Sequence, residues 1–107
     1  MEKIKIFYKP SVEQYINNLI LLLYEQEYFG FLEDAIEYKN RIIDYIEQNI
    51  STFPAKPTPF LLRKLGSQYI FYKANQRTTW FIFFEENDNI FLVTHITNNF
   101  SEIIKYF

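Results

Sequence analysis

The hydrophobic pattern of the chain is densest from Gln68 to Asn99, where aromatic and β-branched residues prevail. Residues of this kind are typical of half-buried strands. Two short polar connections interrupt the stretch, so the pattern predicts three strands, over Gln68–Lys73, Thr78–Glu85 and Ile90–Thr97. Because connections this short favour hairpins, we expect the three strands to form an antiparallel meander.

The pattern before the meander predicts one strand and two helices. Apolar and polar residues alternate over Lys3–Tyr8, which indicates a short strand. Apolar residues then recur at helical intervals from about Ser11 to Glu27, and again from Leu32 to about Asn49. Gly30 marks the break between the two helices, and the proline-rich segment Ser51–Pro59 predicts a stiff, extended connector.

This order of elements indicates one α+β domain that spans residues 1–107. We expect a β-α-α-β-β-β arrangement in which a helical hairpin packs on one face of a mostly antiparallel sheet. The tail, Phe100–Phe107, has the pattern of one or two helical turns. If the helices cover one face of the sheet, the other face and the rims are where we expect the function to lie.

The composition of the chain limits which metal sites, cellular location and kinds of partner are expected. The chain has no cysteine and one histidine, His95, so neither a thiolate metal site nor a histidine-cluster metal site is expected, and no cofactor is indicated. No secretory pattern opens the chain and no apolar run is long enough to span a membrane, so a cytoplasmic protein is expected. The 12 Phe and 9 Tyr exceed what a small core needs, which favours an aromatic surface for a partner.

Charge is uneven along the chain, although the net charge is only −2. Five bases and no acid lie between Lys56 and Arg77, whereas the region of the two helices is acidic. Two interpretations are open: ordinary surface charge, or a local anion site that holds a phosphate backbone or an acidic partner. The candidate residues for such a site are Lys73, Arg77, Arg63 and Lys64, with His95 as an acid or base near neutral pH.

Several strings follow one another along the chain: a first strand that ends near Pro10, the link Lys64-Leu65-Gly66, the strands Tyr69–Lys73 and Thr79–Phe84, an acidic turn at Glu85–Asn89, and a last strand that carries His95. These strings and the order of the elements resemble the RelE/ParE superfamily of type II toxin–antitoxin toxins. The resemblance implies a growth-inhibiting toxin that a cognate antitoxin neutralises. RelE-like members cut mRNA in the ribosomal A site without a metal, and ParE-like members inhibit DNA gyrase.

The resemblance also implies roles for the candidate residues. Cations on the sheet of RelE-like toxins hold the scissile phosphate while the ribose 2′-OH attacks, and a histidine or similar group moves a proton. On this basis Arg77, Lys73 and His95 are the expected catalytic residues, and Arg63 and Lys64 are expected to bind RNA. Two positions where relatives often carry cations hold Thr79 and Asn98. These favour two alternatives: a non-enzymatic inhibitor of a protein target such as DNA gyrase, or a relative that only binds its antitoxin.

Overall fold

A computed structural model of the protein describes residues 3–25, 32–52 and 55–101. Within these ranges the fold is α+β, with two helices against a five-stranded sheet. The predicted α+β class is therefore confirmed. The elements, in chain order, are β1 (Lys5–Tyr8), α1 (Pro10–Glu25), α2 (Leu32–Asn49), β2 (Lys56–Pro57), a 3₁₀ helix (Phe60–Leu65), β3 (Gln68–Lys73), β4 (Thr79–Asn87) and β5 (Ile90–Asn98).

The sheet has the order β1-β5-β4-β3-β2. β3, β4 and β5 form the predicted antiparallel meander, and the bounds of each strand lie within two residues of the prediction. β1 joins the meander beside β5, and this pairing is parallel. A parallel partner at that edge requires the chain to cross over the sheet first, which α1 and α2 accomplish. The sheet is thus mostly antiparallel, as expected.

The proline-rich connector supplies a short edge strand that the sequence pattern did not predict. In β2, Lys56 pairs with Tyr69 and Pro57 pairs with Gln68 of β3. A proline has no N–H to donate to a ladder, and it is therefore tolerated at the edge of a sheet but not inside it. The backbone N–H of Thr58 continues the contact by donating to the Ser67 carbonyl at 3.0 Å. These bonds fix the segment that leads into the 3₁₀ helix.

The core lies between the two helices and one face of the sheet, which we call the helix-covered face. Helical spacing of three to four residues turns one stripe of each helix inward. The indole N–H of Trp80, which is 2% exposed, donates to the Tyr38 hydroxyl at 2.8 Å. A buried indole requires such a partner. The buried residues of this core are Val12, Ile16 and Leu19 of α1, Ile42, Ile46 and Ile50 at α2, and Ile70, Trp80, Ile82, Phe84, Phe91, Val93 and Ile96 of the sheet.

A β-bulge interrupts the pairing of β4 with β5. Phe83 pairs with His95 and Phe84 pairs with Val93, so Thr94 has no opposite residue. The extra residue changes the phase of the strand. For this reason Val93 and Ile96, which are three residues apart, both reach the core, and His95 is directed to the second face of the sheet. Regular alternation would not have permitted both placements.

Two sequence predictions fall outside the described residues: the helix break at Gly30, and the helical turns of the tail after Ser101. Among the described residues, no helix is both long enough and apolar enough to cross a lipid bilayer.

Candidate functional site

The second face of the sheet, opposite the helices, carries a cluster of aromatic side chains. Strand alternation directs Tyr69, Phe81 and Phe83 to this face, because their neighbours Ile70, Trp80, Ile82 and Phe84 lie in the core. The ring centroid of Tyr69 lies 6.2 Å from that of Phe81 and 5.9 Å from that of Phe83. The Phe83 ring lies 5.9 Å from the His95 ring. His95 therefore belongs to an aromatic cluster that crosses three strands, in which Phe83 is fully buried.

The 3₁₀ helix is fixed over this face by a close approach at Gly66. A Cβ atom on Gly66 would lie 2.6 Å from Thr94 Oγ1 and 2.9 Å from both Phe83 Cβ and the Phe84 backbone nitrogen. Only a residue without a side chain fits in this space. The hydroxyl of Thr94, the bulged residue, donates to the Leu65 carbonyl. The bulge in β5 thus holds the end of the 3₁₀ helix beside His95.

A pocket of about 550 Å³ lies beside His95. We call it the His95 pocket. It lies where β1 has ended: β1 covers β5 only as far as Val93, and α1 begins at Pro10. Four segments that are distant in sequence therefore form its wall. The residues that line it are Ser11, Val12 and Tyr15 of α1, Lys64 and Leu65 of the 3₁₀ helix, His95, Ile96 and Thr97 of β5, and Ser101.

The polar groups of the His95 pocket suit an anion. Burial lowers the pKa of the half-buried His95 below its usual 6.5, so the imidazole is neutral at neutral pH and accepts a proton. Burial raises the pKa of Tyr15 above 10.0, with a smaller contribution from Tyr38, so its phenol remains a hydrogen-bond donor. Lys64 adds an ammonium group. None of the nine lining residues carries a carboxylate.

The structure brings two of the five predicted site residues together. Lys64, predicted to bind RNA, and His95, predicted to be catalytic, line the same pocket. Lys73 and Arg77 lie at the β3–β4 hairpin, and the strand register separates Lys73 from His95 by about 16 Å. Arg63 is exposed on the 3₁₀ helix, where its guanidinium carbon lies 5.9 Å from the centre of the Phe60 ring.

The hairpin that carries Arg77 has a structural network of its own. The Asn75 side-chain oxygen accepts hydrogen bonds from the backbone N–H groups of Arg77 and Thr78, at 2.8 and 2.9 Å. The Asn99 amide donates to the Arg77 carbonyl at 3.0 Å, and its oxygen accepts from the Thr79 N–H at 2.9 Å. These bonds tie the hairpin to the end of β5, whereas the Arg77 side chain is exposed. They account for the asparagines at this end of the sheet.

Sequence reasoning missed Tyr15, Ser11, Thr97 and Ser101 as lining residues of the His95 pocket. Tyr15 belongs by spacing to the apolar stripe of α1, yet it is 39% exposed. No local signal distinguishes it from its buried neighbours Val12 and Ile16, because the pocket arises only where β1 stops short of the end of β5. The three hydroxyl residues are common at helix starts and strand ends, so their types indicate no site.

Within the described ranges, no group of three or more acidic or histidine side chains lies close enough to hold a metal ion. Comparison with known proteins adds no assignment: no protein-family model matches the chain, and neither a curated protein nor a solved structure is significantly similar to it.

Proposed function

We propose that this protein is the toxin of a type II toxin–antitoxin pair and cuts mRNA on the ribosome as a metal-independent endoribonuclease. One observation carries the nuclease activity: a neutral imidazole and an ammonium group line one pocket without a carboxylate. Support for the family comes from the resemblance to RelE/ParE toxins and from the order of the helices and the meander. A cognate antitoxin, the ribosome and mRNA are the proposed partners.

The His95 pocket provides the groups for transesterification of RNA. His95 takes the proton from the ribose 2′-OH, and the 2′ oxygen forms a bond to the adjacent phosphorus. The bond from phosphorus to the 5′ oxygen breaks, and the leaving oxygen takes a proton from water. The products are a 2′,3′-cyclic phosphate and a 5′-hydroxyl end. Lys64 stabilises the charge that develops on the phosphoryl oxygens, and the Tyr15 phenol is available to donate a hydrogen bond to one of them.

Inducible expression in a bacterial host tests this proposal, with growth and mRNA integrity followed over minutes. The proposal predicts rapid arrest with cuts inside translated messages. Replacing a general base costs about 10²- to 10⁴-fold in rate, so His95→Gln should abolish detectable cleavage. Lys64→Ala should slow it. The matched control is Lys73→Ala. This change removes an exposed lysine that, according to the strand register, lies about 16 Å from His95.

The control also distinguishes the two groups of predicted site residues. Cleavage that survives Lys73→Ala and Arg77→Ala but not His95→Gln assigns the chemistry to the His95 pocket. Cleavage that is lost on changing Arg77 or Lys73 but survives His95→Gln assigns it to the hairpin. Messages that stay intact while the parent protein arrests growth would refute the nuclease.

The separation of Arg77 and Lys73 from His95 favours a second candidate, a non-enzymatic inhibitor of a protein target such as DNA gyrase. A protein inhibitor carries out no reaction, so it has no need of cations beyond the ammonium group of Lys64 in the pocket. This candidate predicts growth arrest with intact messages and altered DNA supercoiling. Absence of any arrest would instead indicate a relative that has kept only antitoxin binding, and co-purification with the product of an adjacent reading frame would identify that partner.

A further inference from the structure

The 3₁₀ helix presents three separate rows of side chains. With three residues per turn, residues i and i+3 lie one above the other. The row of Leu62 and Leu65 anchors the helix, because Leu62 is 3% exposed and the Leu65 carbonyl binds Thr94. A second row consists of Leu61 and Lys64, and Lys64 lines the His95 pocket. The third row, Phe60 and Arg63, has no role in the packing or the chemistry described so far.

Phe60 and Arg63 form an exposed pair of flat groups. The Phe60 ring is 80% exposed, the highest value among the large apolar side chains of the described residues. The Arg63 guanidinium carbon lies 5.9 Å from the centre of that ring. Arg63 is also held in place, because its Nε–H donates to the Thr58 carbonyl at 3.3 Å. A phenyl ring and a guanidinium plane are the two kinds of surface on which unpaired nucleobases stack.

The surroundings favour a polyanion over an apolar partner. Three of the five bases of residues 56–77 lie on the 3₁₀ helix or on the strand that leads into it, namely Lys56, Arg63 and Lys64, and the segment contains no acid. The Glu85 carboxylate, which lies beside Ser67, accepts hydrogen bonds from the Ser67 N–H and hydroxyl. Phe60 precedes Lys64 by four residues, which in a 3₁₀ helix is roughly 8 Å along the axis. Because Lys64 and Phe60 lie in different rows, a strand with one phosphate at Lys64 reaches the Phe60 ring by passing around the helix from one row to the next.

We infer that Phe60 and Arg63 form a stacking site for an unpaired base of single-stranded RNA, next to the phosphate that enters the His95 pocket. This inference rests on the proposed function and adds to it a substrate contact outside the pocket. Stacking is tolerant of sequence, because every base has a π-face. The site therefore selects unpaired RNA over duplex RNA, whose bases are already stacked.

Binding of a fluorescently labelled, 2′-O-methylated single-stranded oligoribonucleotide to the full chain tests the inference, since this probe cannot undergo 2′-OH attack. Phe60→Ala should weaken binding about 5- to 150-fold, the range expected for loss of one stacked base. The matched control is Leu61→Ala, which truncates an adjacent apolar side chain that is 64% exposed but has no π-face. It should change binding less than twofold. Neither change touches the core, so the parent's thermal unfolding should be retained.

A second variant gives a direct signal. Phe60→Trp should preserve binding. The fluorescence of the introduced indole should be quenched when the probe binds, whereas the fluorescence of Trp80, which is 2% exposed, should stay constant. Inorganic polyphosphate should bind the parent and Phe60→Ala equally, because it offers phosphates without bases.

Three results would overturn the inference: no binding of the probe by the parent, equal losses in Phe60→Ala and Leu61→Ala, or no loss in Phe60→Ala. Equal losses would indicate that RNA binding depends on apolar side chains of the 3₁₀ helix in general and not on the π-face of Phe60. Message cleavage in cells reports on the nuclease independently. If messages are cleaved but RNA binding is unaffected by Phe60→Ala, only the stacking site is rejected. If RNA binding depends on Phe60 but messages stay intact, only the nuclease is rejected.

Discussion

Replacing Gly66 with alanine should destabilise the protein and separate the 3₁₀ helix from the sheet. The added Cβ meets three atoms of the second face closer than 3.0 Å. The hydroxyl of Thr94 at 2.6 Å can rotate away, but doing so breaks its bond to the Leu65 carbonyl. Phe83 Cβ and the Phe84 nitrogen, both at 2.9 Å, belong to the backbone frame of β4 and cannot rotate.

The size of the effect follows from these contacts. Ordinary contact begins at 3.4 Å, so the segment around Gly66 must move by half an ångström from the two β4 atoms at 2.9 Å. Overpacking of this kind costs about 1–3 kcal/mol. The opposing gain, a less flexible unfolded chain, is only about 0.4–1 kcal/mol. Overpacking therefore dominates, and we expect a net loss of about 1.3 kcal/mol in the free energy of unfolding, or about 6 °C in Tm for a chain of this length.

Urea and thermal unfolding of Gly66→Ala, followed by the fluorescence of Trp80, measure this loss. Trp80 is the only tryptophan and is 2% exposed, so its emission reports the core. Thr94→Ala alone should cost about 1 kcal/mol for the hydrogen bond to Leu65. In the double variant the nearest obstacle to the new Cβ is gone, so the combined loss should be smaller than the sum of the single losses.

Equal stability of Gly66→Ala and the parent, within about 0.5 kcal/mol, would refute this reasoning, since surface substitutions vary by that amount. Strict additivity with Thr94→Ala would show that the two residues do not meet. A further consequence concerns the His95 pocket. Movement of the 3₁₀ helix carries Lys64 away from His95, so Gly66→Ala should also reduce any message cleavage at temperatures where the protein remains folded.

Tyr8, His95 and Trp80 give four further predictions. Tyr8→Phe should raise the free energy of unfolding by up to about 1 kcal/mol, because the Tyr8 hydroxyl is buried with no hydrogen-bond partner among the described residues; a loss above 1 kcal/mol in urea unfolding would contradict this. Burial, and to a smaller extent Glu47, raises the pKa of Tyr8 to about 12, so the free energy of unfolding should decline from pH 10.0 to 12; the decline should be smaller in Tyr8→Phe, in which Tyr15, Tyr38, Tyr45 and Tyr69 keep pKa values above 10.0, and an equal decline would contradict this. Burial lowers the pKa of His95, so the folded state binds its proton less readily than the unfolded chain; stability should fall as pH drops below 6.5, and an unchanged pH profile in His95→Gln would contradict it. Trp80→Phe should lower the free energy of unfolding by about 2 kcal/mol, because it removes one of the two rings of the buried indole and the N–H that donates to Tyr38. Unfolding followed by circular dichroism measures this loss, and a loss under about 0.5 kcal/mol would argue against that hydrogen bond.

The strands of the meander were predictable because their signals are local. β3 has the predicted bounds, Gln68–Lys73, and alternation with short connections sufficed to predict its antiparallel pairing with β4. The helices were predictable for the same reason: a spacing of three to four residues identifies a buried stripe whatever it packs against. The candidate residues Lys64 and His95 were also identified from residue type, charge and the family resemblance.

The arrangement of those residues depended on the tertiary structure. Sequence reasoning grouped His95 with Arg77 and Lys73 from residue type, charge and the family resemblance, none of which contains the strand register that separates the hairpin from His95. The segment around Arg63 lacked a clear pattern. Local bonds close its 3₁₀ turns, from the Leu62 N–H to the Pro59 carbonyl and from the Gly66 N–H to the Arg63 carbonyl. Its position over the sheet is set by the hydrogen bond from Thr94 and the close approach at Gly66, which involve residues distant in sequence.

The sequence by itself determined the two helices, β1 and the three strands of the meander, and which of their residues are apolar enough to enter a core, because these properties depend on neighbours within a few residues. It did not determine β2 or the 3₁₀ helix. Only the tertiary structure decided which side chains share a pocket. The His95 pocket exists because β1 covers β5 only as far as Val93 and because the 3₁₀ helix closes over Phe83. Both are contacts between segments many residues apart, and no periodicity within a single segment encodes them.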